Sequence, residues 1–254
     1  MDSIPKDARK MKSDRPGKRV AIVQSSYIPW KGYFDLIHGV DTFILYDEVQ
    51  FTRRDWRNRN RIKTAQGPRW LTIPVACKGQ YHATIDAMKI SEPWAETHWN
   101  TLRHAYGRAP FFKTYETALQ TLYETATGED SLSAVNLMFL RGLCPLLGIT
   151  TPFVGSREIA SLGRKTEKLI QLCQGIGADA YLSGPAAKAY LRPDLFAAAG
   201  IALEFADYTG YPEYPQSHPP FRHDVSIIDL LMHCGPESPR YLKTFGPDAD
   251  GFYA

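Results

Sequence analysis

The sequence has few cysteines, and none of them is in a metal-binding or redox pattern. Cys77, Cys144, Cys173 and Cys234 are far apart in a chain of 254 residues, and no two form a C-x-x-C pair. This spacing disfavours a zinc site and a dense disulfide framework, so we predict four buried, reduced thiols. The histidines form no H-x-x-x-H pair, which excludes a zincin, and we predict no metal site.

Long apolar runs and a strong excess of charge are also missing. No apolar run approaches the ~20 residues that a membrane-spanning helix needs. Residues 1–17 contain acids and lack an apolar signal core, so we predict a disordered basic tail and a cytoplasmic protein. The formal net charge is only +3, which disfavours a protein that coats nucleic acid. Hydrophobic residues make up 44% of the chain, enough for a sizeable core.

Short β-branched segments alternate with helical patterns along most of the chain, which is typical of an α/β fold. Strands are predicted at residues 18–24, 42–46, 69–75, 151–154, 180–183 and 201–205, with a weaker one at 85–90. Helices are predicted at residues 33–40, 165–176, 193–199 and 226–235. Residues 93–148 have few strand signals and are interpreted as a helical insertion between two parts of the α/β domain, residues 18–92 and 149–254. The predicted fold is a mainly parallel, Rossmann-like sheet with this insertion.

Polar and aromatic side chains follow the first two predicted strands. Gln24, Tyr27 and Tyr33 come after the first strand, and Asp47 and Gln50 come after the second. In open α/β sheets, ligands bind outside the carboxyl ends of the strands, and amides at the next helix N-terminus can hold an anion. These residues are therefore candidates for a binding site, with Asp47 as a candidate general base. An ordinary turn, with Asp47 capping a loop, is the alternative.

A basic run directly follows the second predicted strand, with six cationic side chains within eleven positions. Arg57, Arg59 and Arg61 alternate with Asn58 and Asn60, so an extended segment would place arginines and asparagines on opposite faces. Guanidinium groups bind phosphates and carboxylates, and asparagines can bind hydroxyl or amide groups. A charged edge strand guarded against aggregation and an RNA-binding surface remain alternatives. We favour a pocket for an anionic small molecule.

A second candidate site follows the predicted strand at residues 180–183. Ser183 and Gly184 begin a turn that can present backbone amides and a hydroxyl to an anion, and Lys188 and Tyr190 lie a few residues on. Ser183 is not in a G-x-S-x-G turn, so it is not predicted to be a nucleophile. A strand-to-helix turn that needs small residues is the alternative.

The preceding predicted helix starts with Lys165 and Thr166, and Thr166 is a candidate N-cap. His98 lies in the helical region and is a second candidate general base, although a structural role is the alternative. Cys173 and Cys234 are candidate thioester nucleophiles, although a thiol buried in a helix is normally inert.

The segment QSSYIPWKGYFDLIHGVDTFILYDEVQFTRRDWRNRNRI resembles the opening signature of the WbqC-like proteins. The blocks WLTIPV, KTEKLIQLC, GADAYLSGPAAKAYL, YPQ and SIIDLLMHCG match later parts of that family, so the resemblance covers roughly residues 20–235. Ser25 stands where the family usually has proline, and Ala187 where it often has glycine. A weaker similarity to the nucleotidyltransferase-like α/β fold lacks both histidines of that fold's F-x-P-x-H-x-G-H motif.

The resemblance implies a bacterial cytoplasmic protein of O-antigen, lipopolysaccharide or other sugar-derivative biosynthesis. Together with the candidate residues above, it leads us to hypothesise a transferase for an anionic substrate, such as a sugar nucleotide, acyl-CoA or carrier-linked group, and no cofactor is identified. Acyl or aminoacyl transfer through Cys173 or Cys234, and a non-enzymatic RNA-binding or scaffold protein, stay open. Catalytic candidates are His98, Asp47, Ser183 and Lys188. Arg57 is a binding candidate, and by position the family's motif adds Gln24, Tyr27, Tyr33, Gln50, Asn58, Arg59, Asn60, Lys165, Thr166, Gly184, Tyr190, Gln216 and Asp229.

Overall fold

Five parallel strands form the central sheet of the computed structural model, which describes residues 17–246 and 249–253. The predicted basic tail, residues 1–17, lies outside the described residues except for its last position. The strands are β1 (Arg19–Val23), β2 (Thr42–Leu45), β3 (Arg59–Thr64), β4 (Gly67–Thr72), β5 (Phe153–Gly155), β6 (Ala180–Ser183) and β7 (Ala202–Phe205). The sheet has the order β5-β2-β1-β6-β7, and β3 pairs with β4 in a separate antiparallel hairpin. The predicted parallel α/β fold is confirmed.

Helices cover both faces of this sheet. They are α1 (Lys31–His38), α2 (Ala95–Tyr106), α3 (Phe112–Ala126), α4 (Leu132–Leu143), α5 (Lys165–Gly175), α6 (Pro193–Ala198) and α7 (Ile227–Cys234). Successive strand residues point to opposite faces, so Ala21 and Phe43 join a larger core with α1–α4 and α7. Val20 and Ile44 join a smaller core with α5 and α6. Strands buried on both faces have continuous apolar runs, which is why the sequence predicts them well.

Two helices begin at a serine whose side chain caps the first turn. Ser131 and Ser226 precede α4 and α7, and their side chains accept hydrogen bonds from the amides of Ala134 and Ile228. The expected cap at Thr166 is wrong, because α5 begins one residue earlier and Thr166 lies inside its first turn.

The weak strand predicted at residues 85–90 is wrong. Ile85–Ala87 forms a short 3-10 helix instead. The amides of this region bond to scattered partners, since Ile85 donates to the Val49 carbonyl and Ile90 to that of Asp130. The strand predicted at residues 69–75 corresponds to β4, which is shorter and pairs only with β3.

None of the helices in residues 17–246 and 249–253 is long and apolar enough to cross a membrane.

Candidate functional site

The order of the strands creates a natural crevice beside β1. From β1 the chain moves to β2 and β5 on one side, and later to β6 and β7 on the other. The connections after β1 and β6 therefore diverge, and ligands of open α/β sheets bind outside the carboxyl ends of the strands at such a point. A cavity of about 1050 Å³ opens there, lined by residues that include Val23 from β1 and Ser183 from β6.

Both candidate regions from the sequence contribute to this cavity. The predicted site residues that line it are Gln24, Tyr33, Arg57, Asn60, Lys165, Thr166, Ser183, Gly184 and Tyr190. Much of the remaining lining is apolar and aromatic, for example Trp30, Leu169 and Tyr208.

Arg57 is held against the turn that follows β1. Its Nη1 donates to the carbonyl oxygens of Gln24 at 3.0 Å and Ser25 at 3.2 Å, and to the hydroxyl of Ser26 at 3.0 Å. Asp55 is 3.6 Å from its Nε, and the side chain is 15% exposed. The guanidinium group is therefore a fixed positive charge in the cavity wall.

The turn after β1 is itself fixed by buried polar side chains. The amide of Ser25 donates to Asp47 Oδ1 at 2.7 Å, and Ser133 donates to the other carboxylate oxygen. Asn136 Nδ2 donates to the Ser25 hydroxyl and to the Arg57 carbonyl, each at 2.9 Å. Proline at position 25 could offer neither of the Ser25 contacts, so this departure from the family pattern adds two hydrogen bonds in this chain.

Gly32, in the first turn of α1, leaves room for the side chain of Trp30. A Cβ atom on Gly32 would lie 2.3 Å from the Trp30 ring, so the indole needs that position to be free of a side chain. Trp30 packs edge-on against Tyr208, with ring centroids 5.1 Å apart, and both rings line the cavity. The side chain of Asn60 also stabilises the turn after β1, because its Nδ2 donates to the carbonyls of Tyr27 and Ile28 at 3.2 and 3.0 Å.

The first residues of two helices border the cavity. Among the described residues, no side chain caps α1 or α5, so the N–H groups of their first turns lack such a partner there. Trp30 precedes α1, and Lys165 and Thr166 begin α5; all three line the cavity. Lys165 has a φ of +50°, a strained conformation for a residue with a side chain. Together with Arg57 and Lys165, these helix ends make the wall positive.

The chain between β7 and α7 closes the cavity, and sequence reasoning missed the side chains with which it lines the cavity. Tyr208, His223 and Asp224 line the cavity from this segment. Asp224 is bound by Arg61 at 2.5 Å and by Arg222 at 2.8 Å. This segment is rich in proline and tyrosine, but no local motif marks these side chains.

Gln216 and Asp229 anchor that loop rather than line the cavity. Asp229 is fully buried and accepts from Tyr106 at 2.8 Å, Tyr214 at 2.7 Å and Gln216 at 2.7 Å. Lys63 donates to Gln216 Oε1 at 2.6 Å. These contacts connect β3, α7 and the loop. Gln216 and Asp229 therefore fix the position of the loop that lines the cavity, and they do not line the cavity themselves.

His98 and Tyr27 lie in the core beneath the site, away from the cavity lining. The Tyr27 hydroxyl is 3.0 Å from His98 Nδ1 and 2.7 Å from the Tyr123 hydroxyl. Burial lowers the pKa of His98 to about 4, against a weaker opposing effect of the hydrogen bond to Thr72. His98 is 6% exposed and packs against Trp94, so the structure places it as a core histidine.

Five other predicted site residues are also absent from the cavity lining. Asp47 is 5% exposed and is engaged by Ser25 and Ser133, as described above. Asn58 is buried and donates to the Ile73 carbonyl, and Gln50 donates to that of Tyr81. Lys188 lies 5.1 Å above the Phe205 ring.

The fifth of these residues, Arg59, belongs to the outer face of the hairpin. Its guanidinium stacks 4.1 Å from the Trp70 ring, and Arg61 lies 5.1 Å from the same ring. The predicted alternation therefore exists, with Asn58 and Asn60 buried and Arg59 and Arg61 half-exposed. Arg57, which precedes β3, is the arginine of this series that lines the cavity.

The two candidate thiols are buried in helices. Burial raises the pKa of Cys173 to about 12 and that of Cys234 to about 11. Neither thiol lines the cavity, so the thioester hypothesis gains no support from the geometry.

The comparisons with known proteins agree with the resemblance read from the motifs. The profile of the WbqC-like protein family matches residues 24–241. A relative from Mycobacterium tuberculosis (strain ATCC 25618 / H37Rv), "Uncharacterized protein Rv1507c", is 44% identical over 227 residues, which is 89% of this chain and 98% of that protein. No solved structure matches significantly. The chain belongs to the WbqC-like protein family.

Proposed function

We propose that this protein is a transferase of surface-polysaccharide or sugar-derivative biosynthesis that binds a sugar nucleotide in the cavity beside β1. The observation that carries the proposal is the position of the cavity. It lies where the connections after β1 and β6 diverge, and its wall carries positive charge. A phosphate-bearing substrate uses both features, because the helix ends and cations hold its charge.

The balance of charge in the cavity favours an anion. Arg57 and Lys165 are the cationic side chains of the lining, and Asp224 is its carboxylate. Because Asp224 is already bound by two arginines, its charge is largely neutralised within the wall. A diphosphate placed between Arg57 and the start of α5 would meet two cations and the free amides of a helix N-terminus.

The size and aromatic content of the cavity favour more than a free phosphate. Small-molecule sites range over roughly 300–1,000 Å³ and are mostly apolar with a few fixed polar groups. The cavity, at about 1050 Å³, is just above that range, and Trp30, Tyr208 and Leu169 supply apolar area for a base or a sugar ring. The Gln24 amide and the hydroxyls of Thr166 and Ser183 are polar groups of the lining that can meet sugar hydroxyls.

The test is thermal unfolding of the purified protein with UDP-glucose, GDP-mannose, dTDP-glucose, ATP and acetyl-CoA. A ligand that binds only the folded state at one hundred times its dissociation constant adds about 2.7 kcal/mol of stability. We expect a clear rise in Tm with at least one sugar nucleotide. A response to acetyl-CoA alone would support acyl transfer instead, and a flat panel would refute the proposal.

Two arginines of the same run provide a matched pair of variants. Arg57→Gln removes one of the two positive charges of the cavity lining, whereas Arg59→Gln removes an equal charge from the outer face of the hairpin. We expect the ligand-induced rise in Tm to be lost in the first variant and kept in the second. Equal losses in both would favour long-range charge or an RNA-binding surface over a pocket.

A further inference from the structure

His223 is a titratable side chain of the cavity lining and lies on the loop between β7 and α7. Its Nδ1 is buried without a hydrogen-bond partner among the described residues, and its Nε2 has no protein partner there either. The ring is fixed by packing, with its centroid 4.6 Å from that of Phe221 in an edge-on arrangement. A half-buried imidazole with both nitrogens unpaired, in the wall of a binding cavity, is equipped to exchange a proton with a ligand.

Several other side chains of the lining already have hydrogen-bond or ion-pair partners within the protein. Asp224 is bound by two arginines, and Arg57 is bound to the turn after β1. The hydroxyl of Tyr33 donates to the Gln24 carbonyl at 2.9 Å, and that of Tyr181 is 3.2 Å from the Ser183 hydroxyl.

We propose that His223 is the general base that takes the proton from an acceptor hydroxyl during transfer. This inference rests on the proposed function, since it assumes a sugar nucleotide in the same cavity. The acceptor O–H bond breaks and its proton passes to His223 Nε2. The acceptor oxygen bonds to the anomeric carbon of the sugar. The bond from that carbon to the diphosphate breaks, and its electron pair leaves on the diphosphate oxygen near Arg57 and Lys165.

The charges around His223 are consistent with this role. Burial lowers the pKa of His223, the positive charge of Lys31 on α1 lowers it further, and Glu213 and Asp224 oppose the shift weakly. Arg222 and Arg61 face the same segment, but both are paired with Asp224. The imidazole is therefore neutral at pH 7, as a base must be.

Chemical modification tests contact with the ligand without requiring turnover. Diethylpyrocarbonate acylates accessible, neutral imidazoles, and mass spectrometry locates each modified histidine. We expect UDP-glucose, GDP-mannose or dTDP-glucose to protect His223, while the exposed His82, His104 and His218 react equally with and without it. Modification of His223 that is unchanged by a sugar nucleotide that stabilises the protein would overturn the inference.

Turnover tests the chemical step, with His218→Gln as the matched control in the same loop. With these donors and water as acceptor, we expect His223→Gln to slow release of the nucleoside diphosphate by on the order of 100-fold. The variant should also lose the acidic limb of the wild-type pH profile while keeping its stabilisation by the donor.

The possible failures separate the two proposals. A donor that stabilises the protein, together with full activity in His223→Gln, would overturn the role of His223 and leave the proposed function standing. Absence of stabilisation by all three donors would remove both.

Discussion

Asp47 offers the sharpest test of whether a motif residue supports the site or reacts in it. Its carboxylate accepts from the Ser25 amide at 2.7 Å and from the Ser133 hydroxyl, and the residue is 5% exposed. A hydrogen bond to a charged group contributes about 1.5–3 kcal/mol net. Asp47→Ala removes two of them and leaves a buried N–H unpaired, so we expect a loss of about 3–6 kcal/mol in the free energy of unfolding.

Asp47→Asn should cost much less. An asparagine can still accept from the Ser25 amide, and its NH2 group can donate to Ser133, so only the charge is lost. Neutral hydrogen bonds contribute about 0.5–1.5 kcal/mol each, which gives an expected loss of about 2 kcal/mol. Equilibrium urea unfolding, followed by tryptophan fluorescence, measures both values.

The two variants also separate the roles of Asp47 in function. If Asp47 only holds the turn after β1, the asparagine variant keeps its ligand-induced rise in Tm and its turnover. A general base at this position would make both substitutions equally inactive. An asparagine variant as unstable as the alanine variant would contradict the two hydrogen bonds from which these magnitudes are derived.

Three further predictions concern other parts of the chain. Between pH 6.5 and 4, His98 stays neutral in the fold while it protonates in the unfolded chain, so acid lowers the free energy of unfolding by up to about 3 kcal/mol through this group. His98→Gln should remove that part of the pH dependence in urea unfolding. Gly32→Ala should displace Trp30 and lower the free energy of unfolding by about 1–3 kcal/mol. Gly128→Ala is the control, because a Cβ atom there would meet open space. Equal Tm values for the two variants would contradict this prediction. Under native conditions, iodoacetamide should label half-exposed Cys77 well before Cys173 or Cys234, as peptide mass spectrometry would show.

The elements that the sequence predicts well are those whose local pattern and burial agree. β1, β2 and β6 are short apolar strands of a parallel sheet, and their signal needs no knowledge of the partners. The segment at residues 85–90 has a similar apolar content, but its amides bond to several different loops. Such pairing depends on tertiary contacts, which local propensity does not encode.

The site was predictable at the level of segments rather than side chains. The rule for carboxyl ends of strands points to Gln24 and Ser183, and both residues line the same cavity. It does not say that Arg57 turns inward while Arg59 stacks on Trp70. It also misses His223, because the loop that carries it is positioned by contacts far away in sequence, such as that between Lys63 and Gln216.

The family signature therefore combines two kinds of residue that sequence alone does not separate. Asp47 and Asp229 satisfy buried hydrogen-bonding groups within the protein. The side chain of Lys165, by contrast, has no hydrogen-bond partner among the described residues and lines the cavity. A buried polar group left unpaired costs about 1–3 kcal/mol, so a substitution at either aspartate removes stability that does not depend on a ligand. The distinction is measurable because changes at the buried aspartates must lower stability without ligand. A change at Lys165 should instead affect mainly the additional stability that a ligand provides.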